Sequence, residues 1–193
     1  MSRLGNGYAT HNESVTSDNS TESPGDTPSR VRPRLIGYTV AIAAAVILLD
    51  QGSKWWAETA LADGHTIPVI GDLIRFVLVY NPGAAFSIGT DSTWVFTILA
   101  AVAVVVIVVF AWPVTSRGWM VTFGLLLGGA ATHLGDRLFR EPGFGRGHVV
   151  DFIGYGTLFI GNVADIAIFA GAVTLIVLAV RGIRIGRPDS SRV

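Results

Sequence analysis

Residues 92–116 read STWVFTILAAVAVVVIVVFAWPVTS, a run that contains no charged side chain. A helix needs about 20 predominantly apolar residues to cross the hydrocarbon core of a bilayer. The run is long enough for one crossing, and Pro113 marks its end because proline disrupts a continuing helix. It therefore predicts a transmembrane helix at about 92–114.

Three other segments have the same character. Residues 35–49 read LIGYTVAIAAAVILL, and the helical pattern continues past Asp50 to about 56. Residues 118–135 are rich in glycine and alanine, which suit close helix packing in membranes. The last apolar segment contains only one charged residue, Asp165. We therefore predict four transmembrane helices, at about 35–56, 92–114, 118–138 and 160–180.

The composition of the whole chain agrees with a membrane protein. Of its 193 residues, 50% are apolar and 15% are charged, whereas soluble domains carry about a quarter charged residues. The mean hydropathy is +0.53. The 14 basic and 14 acidic residues cancel, which argues against nucleic-acid binding. Cysteine is absent, so disulfides, thiolate zinc sites and cysteine nucleophiles are excluded.

The ends of the chain differ from its centre. Residues 1–34 are dominated by Ser, Thr, Pro and Gly, which predicts a disordered tail, and residues 183–193 form a second tail. Basic residues favour the cytoplasmic side of spans, which predicts that both termini are cytoplasmic. A cleavable signal peptide ending at residues 60–62 (ALA) is the competing interpretation, but its apolar run begins far from the amino terminus. The arginines assigned to the cytoplasmic side are Arg3, Arg30, Arg32, Arg34, Arg117, Arg181, Arg184, Arg187 and Arg192, against Lys54, Arg75, Arg137, Arg140 and Arg146 outside.

Two sizeable segments, about 58–91 and 138–159, then lie on the outer side. Residues 67–80 read IPVIGDLIRFVLVY, with a plausible turn at residues 71–72, which predicts a small hairpin or sheet on the membrane surface. The predicted fold is an all-α membrane protein of four transmembrane helices with a small outer-face β-hairpin or sheet and an extracellular (periplasmic) loop helix. Residues 35–182 form its single membrane domain.

Several ionisable residues stand in or beside the predicted spans, where they are costly and indicate function by default. All of them lie near the outer ends of their helices. His133, Asp136 and Arg137 share one helix face because they are three and four residues apart. The set comprises Asp50, His133, Asp136, Arg137, Asp151 and Asp165.

Asp151 and Asp165 form the most informative pair. On one continuous helix they would lie about 21 Å apart, but residues 154–156 (GYG) can break the helix and fold Asp151 back. Two neighbouring carboxyl groups do not both ionise easily, so one can activate water while the other, protonated, polarises a carbonyl. The pattern alone leaves a proton relay or transport equally open.

The other polar residues have simpler interpretations. Asp136 and Arg137 form an ion pair in the simplest one. Asp50 and Lys54, four residues apart, form a helix-surface pair or position a substrate. His133 alone is most often an interhelical hydrogen-bonding residue. A metal site is a further alternative, although its spacing matches no standard ligand pattern; its ligands would be His133, His148, Asp136 and Asp151.

Five short motifs give the chain a resemblance to the lipoprotein signal peptidases, or signal peptidase II, over residues 35–182. Each motif is short, but the five occur in the family's order and at the expected helix ends. They are DQGSK at 50–54, NPGAAFS at 81–87, GGAATHLGDR at 128–137, GHVVDFI at 147–153 and NVAD at 162–165.

The resemblance implies a membrane aspartyl endopeptidase of the bacterial cytoplasmic membrane. Such an enzyme removes the signal peptide of a prolipoprotein before its diacylglyceryl-modified cysteine, near the outer leaflet, without metal or other cofactor. Its partners are lipidated prolipoproteins and membrane lipid. The implied catalytic residues are Asp151 and Asp165. The implied substrate-binding or supporting residues are Asp50, Lys54, Asn81, Gly83, His133, Asp136, Arg137, Asn162 and Ala164.

The chain departs from the family pattern at two positions. His133 stands where the family has asparagine, and Gly161 stands where an aromatic residue is common. The alternative function is non-enzymatic: a polar-core membrane protein such as a proton-coupled carrier or an inactive binding relative. A different class of intramembrane aspartyl protease is disfavoured because neither aspartate lies in a G-x-G-D motif.

Overall fold

The helices and strands alternate in blocks along the chain. The structure, a computed structural model, describes residues 31–83 and 93–186, with the backbone alone for residues 31–34. The helices are α1 (Val31–Ala60), α2 (Thr93–Ala111), α3 (Arg117–Phe139) and α4 (Val163–Val180). The strands are β1 (Ile67–Ile70), β2 (Ile74–Asn81), β3 (Val149–Tyr155) and β4 (Phe159–Gly161).

The apolar composition of the helices suits a membrane. Among the described residues, three helices are long and apolar enough to cross one, namely Leu35–Ala60 of α1, all of α2 and all of α4. The fourth helix, α3, is also long, but it carries His133, Asp136 and Arg137 and is less apolar. The crossing of the membrane by α3, and therefore the count of four spans, stays a prediction.

α3 lies at the centre of the helical part and contacts α1, α2 and α4. Its glycines allow this close approach. A Cβ atom added at Gly128 would lie 2.6 Å from Val46 Cβ on α1, and one at Gly129 would lie 2.5 Å from Ile168 Cγ1 on α4. The small-residue pattern of this segment therefore packs α3 between its neighbours.

α2 presents most of its surface outward. Its only buried residues are Thr93 and Thr97, and valines such as Val109 are more than half exposed. An apolar surface of this extent is not expected in water, and it suits contact with lipid acyl chains. Thr97 Oγ1 donates to the carbonyl oxygen of Gly145 at 2.7 Å, which links α2 to the segment that follows α3.

The four strands form one antiparallel sheet in the order β1-β2-β3-β4. In the central pair, Phe76 is opposite Ile153 and Val79 is opposite Asp151. Two residues of β2 thus face the single residue Phe152 of β3, which is a β-bulge. Bulges increase the local twist and redirect side chains, and this one lies beside Asp151.

The sheet packs on the carboxyl-terminal end of α1. Phe152 is buried with Ala57 of that helix and with Leu61, which follows it. The Phe152 ring contacts the rings of Trp56 (edge-to-face) and Phe76 (tilted), each at 6.2 Å between centroids. Burial of aromatic surface of this size contributes a few kcal/mol of stability. The sheet therefore has a fixed position relative to the helices.

Some sequence-based expectations need correction. The outer segments were expected to include a loop helix, but residues 61–83 and 140–162, which the structure describes throughout, contain strands and turns. The fold is mostly helical with a small antiparallel sheet, as predicted, but the segment after α3 adds β3 and β4 to that sheet. The last helix begins at Val163 rather than near 160, since residues 159–161 form β4.

The expectations for the tails fall mostly outside the described residues. Residues 1–30 and 187–193 are not described, so a disordered amino-terminal tail stays a prediction. α1 already begins at Val31 and extends to Ala60, beyond the expected span of 35–56 at both ends. Residues 84–92, which include part of the NPGAAFS motif, also lie outside the described residues.

The packing of α3 gives a direct test. Gly129→Ala places a methyl group 2.9 Å from the carbonyl oxygen of Ala164, and overpacking of this kind costs about 1–3 kcal/mol. We expect a lower thermal unfolding temperature in detergent. The matched control is Gly135→Ala on the same helix, where nothing lies within 4 Å of the added atom. Its better helix propensity predicts an unchanged or slightly higher temperature, and equal loss in both variants would contradict this packing.

Candidate active site

The start of α4 fixes the position of Asp165. Asn162 is the N-cap residue, and its side chain accepts a hydrogen bond from the Asp165 backbone N–H at 3.1 Å. In return, Asp165 Oδ2 accepts from the Asn162 backbone N–H at 2.9 Å. This reciprocal pattern is a capping box, and it holds the carboxylate in the first turn of the helix.

Two asparagine amides orient Asp151 on β3. Asn162 Nδ2 donates to Asp151 Oδ1 at 2.7 Å, and Asn81 Nδ2 donates to Asp151 Oδ2 at 2.9 Å. Asn162 therefore contacts both aspartates, one through its backbone and one through its side chain. The spacing-based prediction that Asp151 folds back toward Asp165 is met by the β3–β4 hairpin, which turns at Gly156 with a φ of 55°.

His133 of α3 contacts the second carboxylate. Its Nε2 lies 3.1 Å from Asp165 Oδ1. With the Asn162 backbone N–H on the other oxygen, both oxygens of Asp165 have a hydrogen-bonding partner. The position that departs from the family pattern thus lies directly beside one of the two aspartates.

Both carboxylates line one large cavity. Its volume is about 840 Å³. The lining residues from α2 and from the first turns of α4 include the apolar side chains Phe96, Ala100, Ile166 and Phe169. The polar lining residues are Asn81, His133, Arg137, Asp151 and Asp165. A mostly apolar cavity with a few polar groups is typical of a binding or catalytic site.

A smaller cavity of about 360 Å³ adjoins the large one on the side of the sheet. The two share Asn81, Asp151, Phe159 and Ile160. Arg75 of β2 lines only the smaller one. Its Nε is buried, and the described residues offer it no hydrogen-bond partner.

A buried ion cluster lies behind the site. Lys54 Nζ lies 2.6 Å from Asp50 Oδ2 and 2.7 Å from Asp136 Oδ2, and these three side chains are essentially inaccessible to solvent. Asp50 Oδ1 also accepts from the Ala164 backbone N–H at 2.9 Å, in the first turn of α4. The expectation of a helix-surface pair between Asp50 and Lys54 is therefore wrong, because both side chains are in the interior.

Asp136 and Arg137 do not pair with each other, contrary to expectation. Asp136 accepts hydrogen bonds from Gln51 at 2.9 Å and Arg140 at 2.8 Å in addition to Lys54. Arg140 also binds Glu58 at 2.5 Å. Adjacent residues of a helix point in different directions, which explains the separate partners.

Arg137 instead fixes the loop that follows β2. Its guanidinium donates to the carbonyl oxygens of Asn81 at 3.2 Å, Pro82 at 2.9 Å and Gly147 at 3.1 Å, and it also donates to that of Gly83. The guanidinium thus donates to four backbone carbonyl oxygens. These contacts hold Asn81, the asparagine whose side chain orients Asp151, in a fixed position.

Burial raises the pKa of Asp151 to about 6. The hydrogen bond from Asn81 acts in the opposite direction, and the charge of Asp165 raises the pKa further. Desolvation and a nearby like charge both disfavour the ionised form of a carboxyl group. A carboxyl group that titrates near neutral pH is suited to exchanging protons during a reaction.

The alternative metal site finds no geometric support. In the part of the chain that the structure describes, no three His, Asp or Glu side chains are arranged to hold a metal ion. Of the four ligands considered, Asp136 is already engaged with Lys54, Gln51 and Arg140.

The site also contains residues that the sequence did not single out. Gln51, Glu58 and Arg140 extend the ion cluster. Glu58 is four residues after Lys54 and Arg140 is four residues after Asp136, a spacing at which side chains of a helix can interact. The sequence gave no signal for the apolar lining residues Phe96 and Phe169, because aromatic residues are common in apolar helices. The remaining lining residues missed are Ala100, Val149, Tyr155, Phe159, Ile160 and Ile166.

Comparisons with known proteins agree on one family. The family model described as signal peptidase (SPase) II, Peptidase A8, matches residues 42–181. The chain is similar to the lipoprotein signal peptidase of Mycobacterium avium, with 43% identity over 162 residues, covering 83% of this chain and 89% of the relative. It is also similar to that of Streptomyces coelicolor, with 41% identity over 157 residues, covering 81% and 77%.

A solved structure has the same fold. It is described as a bacterial membrane enzyme determined by the in meso method at 2.3 Å resolution. The TM-score is 0.67 at 26% identity, and the match covers 80% of this chain and 96% of that one.

The raised pKa of Asp151 predicts that replacing this residue by a neutral one increases the stability of the fold. Because its folded pKa of about 6 exceeds the unfolded value of about 3.9, the ionised group destabilises the fold increasingly as pH rises from about 4 to 6 and constantly above that. Asp151→Asn removes this penalty, which amounts to at most about 3 kcal/mol. We expect a higher thermal unfolding temperature than the parent above pH 6 and a vanishing difference near pH 4.

The matched control is Asp72→Asn in the exposed β1–β2 turn. It should leave the unfolding temperature unchanged throughout the pH range. A destabilised Asp151→Asn at alkaline pH would contradict the argument, because it would mean that the buried charge is fully compensated.

Proposed function

Because the chain belongs to the signal peptidase II family of lipoprotein signal peptidases, we propose that Asp151 and Asp165 are its catalytic pair. The protein is a membrane protease that removes the signal peptide from prolipoproteins. The observation that carries the proposal is the shared anchor of the two aspartates: Asn162 hydrogen-bonds to both, and both line the same cavity.

The chemistry follows from the protonation of the pair. One carboxyl group of the pair is ionised and the other is protonated. The ionised group takes a proton from a water molecule while the oxygen of that water attacks the scissile carbonyl carbon. The protonated group donates to the carbonyl oxygen, which stabilises the tetrahedral intermediate. Proton transfer to the leaving amine nitrogen then allows the C–N bond to break. The carboxylic acid and the amine product together account for the water consumed.

The supporting residues act on the pair through backbone and side-chain contacts. Asn81 and Asn162 aim Asp151, and Arg137 holds the loop that bears Asn81 and Gly83. Asp50 binds the first turn of α4 at Ala164, and Lys54 ties Asp50 to Asp136. These residues position the catalytic pair and do not themselves react.

The cavity suits a lipid-modified peptide. The apolar lining residues Phe96, Ala100, Ile166 and Phe169 would contact acyl chains and an apolar signal segment. The lining also includes both carboxyl groups, which would act on the peptide bond. A substrate with a diacylglyceryl group next to the scissile bond presents both surfaces at once.

The polar residues of the site lie near helix ends, which supports a site close to one face of the membrane. Asp165 is in the first turn of α4, and His133 and Asp136 are in the last two turns of α3. We propose that both termini are cytoplasmic, so that these helix ends and the sheet lie at the outer leaflet. A lipid-anchored scissile bond near the outer headgroups would then meet the pair directly.

The test is cleavage of a diacylglyceryl-modified prolipoprotein by the purified full chain in detergent. We expect cleavage by the parent, and a loss of at least about 10²- to 10⁴-fold in both Asp151→Asn and Asp165→Asn, the range typical of general acid–base groups. Asp72→Asn is the matched control and should retain parental activity. Cleavage should be indifferent to a chelator.

Two outcomes would contradict the proposal. A folded Asp151→Asn or Asp165→Asn that cleaves at the parental rate would remove that residue from the pair. A folded parent that binds the prolipoprotein without cleaving it would make this chain an inactive relative.

A further inference from the structure

His133 occupies a position where it can act on the catalytic pair. Its Nε2 lies 3.1 Å from Asp165 Oδ1, and its side chain is 21% exposed. It lines the large cavity together with both aspartates. The family pattern has asparagine at this position, so this chain replaces a neutral amide by an imidazole, which is a basic side chain.

We propose that His133 is a positioning residue whose positive charge holds Asp165 ionised and leaves the shared proton of the pair on Asp151. This inference rests on the proposed function and adds a charge assignment to it. When protonated, His133 donates to Asp165 Oδ1 and places a cation beside that carboxylate. Asp151 faces two neutral amide donors instead.

The hydrogen bonds alone do not separate the two aspartates. Each carboxylate oxygen of both residues has one N–H partner: Asn162 and Asn81 for Asp151, and His133 and Asn162 for Asp165. Of these hydrogen-bonding partners, only His133 has a basic side chain. An opposite charge within about 4–6 Å favours the ionised form of a carboxyl group, so the asymmetry of the pair originates at His133.

The other charged groups around the pair do not change charge in the neutral range. On α1, Lys54 is ion-paired with Asp50 and Asp136. On α3, Arg137 stays cationic at any ordinary pH and is bound to backbone carbonyls. On β3, burial and the charge of Asp165 raise the pKa of Tyr155 above its ordinary value of 10.0. Among the described side chains that contact Asp151 or Asp165, His133 is therefore the one with a basic group.

The pH profile of cleavage reports this field. The pair loses its two protons in two steps that belong to both residues together, and the singly protonated pair is the active form. A cation beside the pair favours the first proton loss, so activity appears at lower pH. Replacing His133 by a neutral residue should move the acid limb of the profile upward by about one pH unit or more.

The experiment compares kcat/KM across pH for the parent, His133→Gln and His133→Asn. Glutamine keeps an N–H donor and loses the charge, and asparagine restores the residue typical of the family. We expect both to cleave at alkaline pH and both to show the raised acid limb. His133→Lys, which keeps a cation, should retain the parental acid limb. The matched control His65→Asn removes an exposed histidine that pairs with Asp63 and should leave the profile unchanged.

Several results would overturn the inference. The inference is wrong if the acid limb lies at the same pH in the parent and in both neutral variants. It is also wrong if kcat/KM falls equally at every pH while the limb stays in place, because that result indicates a purely structural role. These failures differ from failure of the proposed function, since they require a parent that cleaves and an Asp165→Asn variant that does not.

A second measurement covers the case in which the neutral variants are inactive. The charged contact between His133 and Asp165 stabilises the parent only while the imidazole is protonated. The difference in unfolding temperature between the parent and His133→Gln should therefore be largest at mildly acidic pH and shrink at alkaline pH. A difference that is absent or independent of pH would overturn the inference.

Discussion

The shared contact of Lys54 with Asp50 and Asp136 is the interaction on which the arrangement of the helices depends. It joins α1 to α3, and the second oxygen of Asp50 extends it to the first turn of α4 through Ala164. Removal of one partner from a buried ion pair typically costs about 3–5 kcal/mol, because the remaining charge is left uncompensated. In an apolar surrounding this cost selects one relative position of the three helices. That position brings the carboxylate of α4 next to the histidine of α3.

The site itself is built from local devices that depend on this frame. A capping box at Asn162 fixes one aspartate, and the same residue reaches across to the other on β3. The β-bulge in β2 and the carbonyl clamp of Arg137 position Asn81 for the same carboxylate. Two acidic groups are thus held together although their proximity costs stability. Active sites commonly retain such destabilising arrangements because the chemistry requires them.

The sequence predicted the helices and the aspartate pair because their signals are local. Apolar runs, a glycine-rich break and spacings of three and four residues all act within one element. It did not predict β3, since the residues VVDFIGY form a strand buried on both sides, which has no alternation and resembles a helical segment. Its partner β2 is about 70 residues away along the chain, and no local pattern encodes that pairing. The spacing of Asp50 and Lys54 likewise indicated a contact without indicating that the contact is in the interior.

The two adjoining cavities have a consequence for the direction of a bound peptide. They meet at Asp151 and Asn81, so a peptide lying across this junction has one part on the apolar side and the other on the side of the sheet and Arg75. Asp151 therefore borders two chemically different surfaces, the apolar helix residues of the larger cavity and the strand residues with Arg75 of the smaller one. The two sides of a bond held at this carboxylate would meet unlike surroundings, and this difference would favour one direction of the peptide chain over the other.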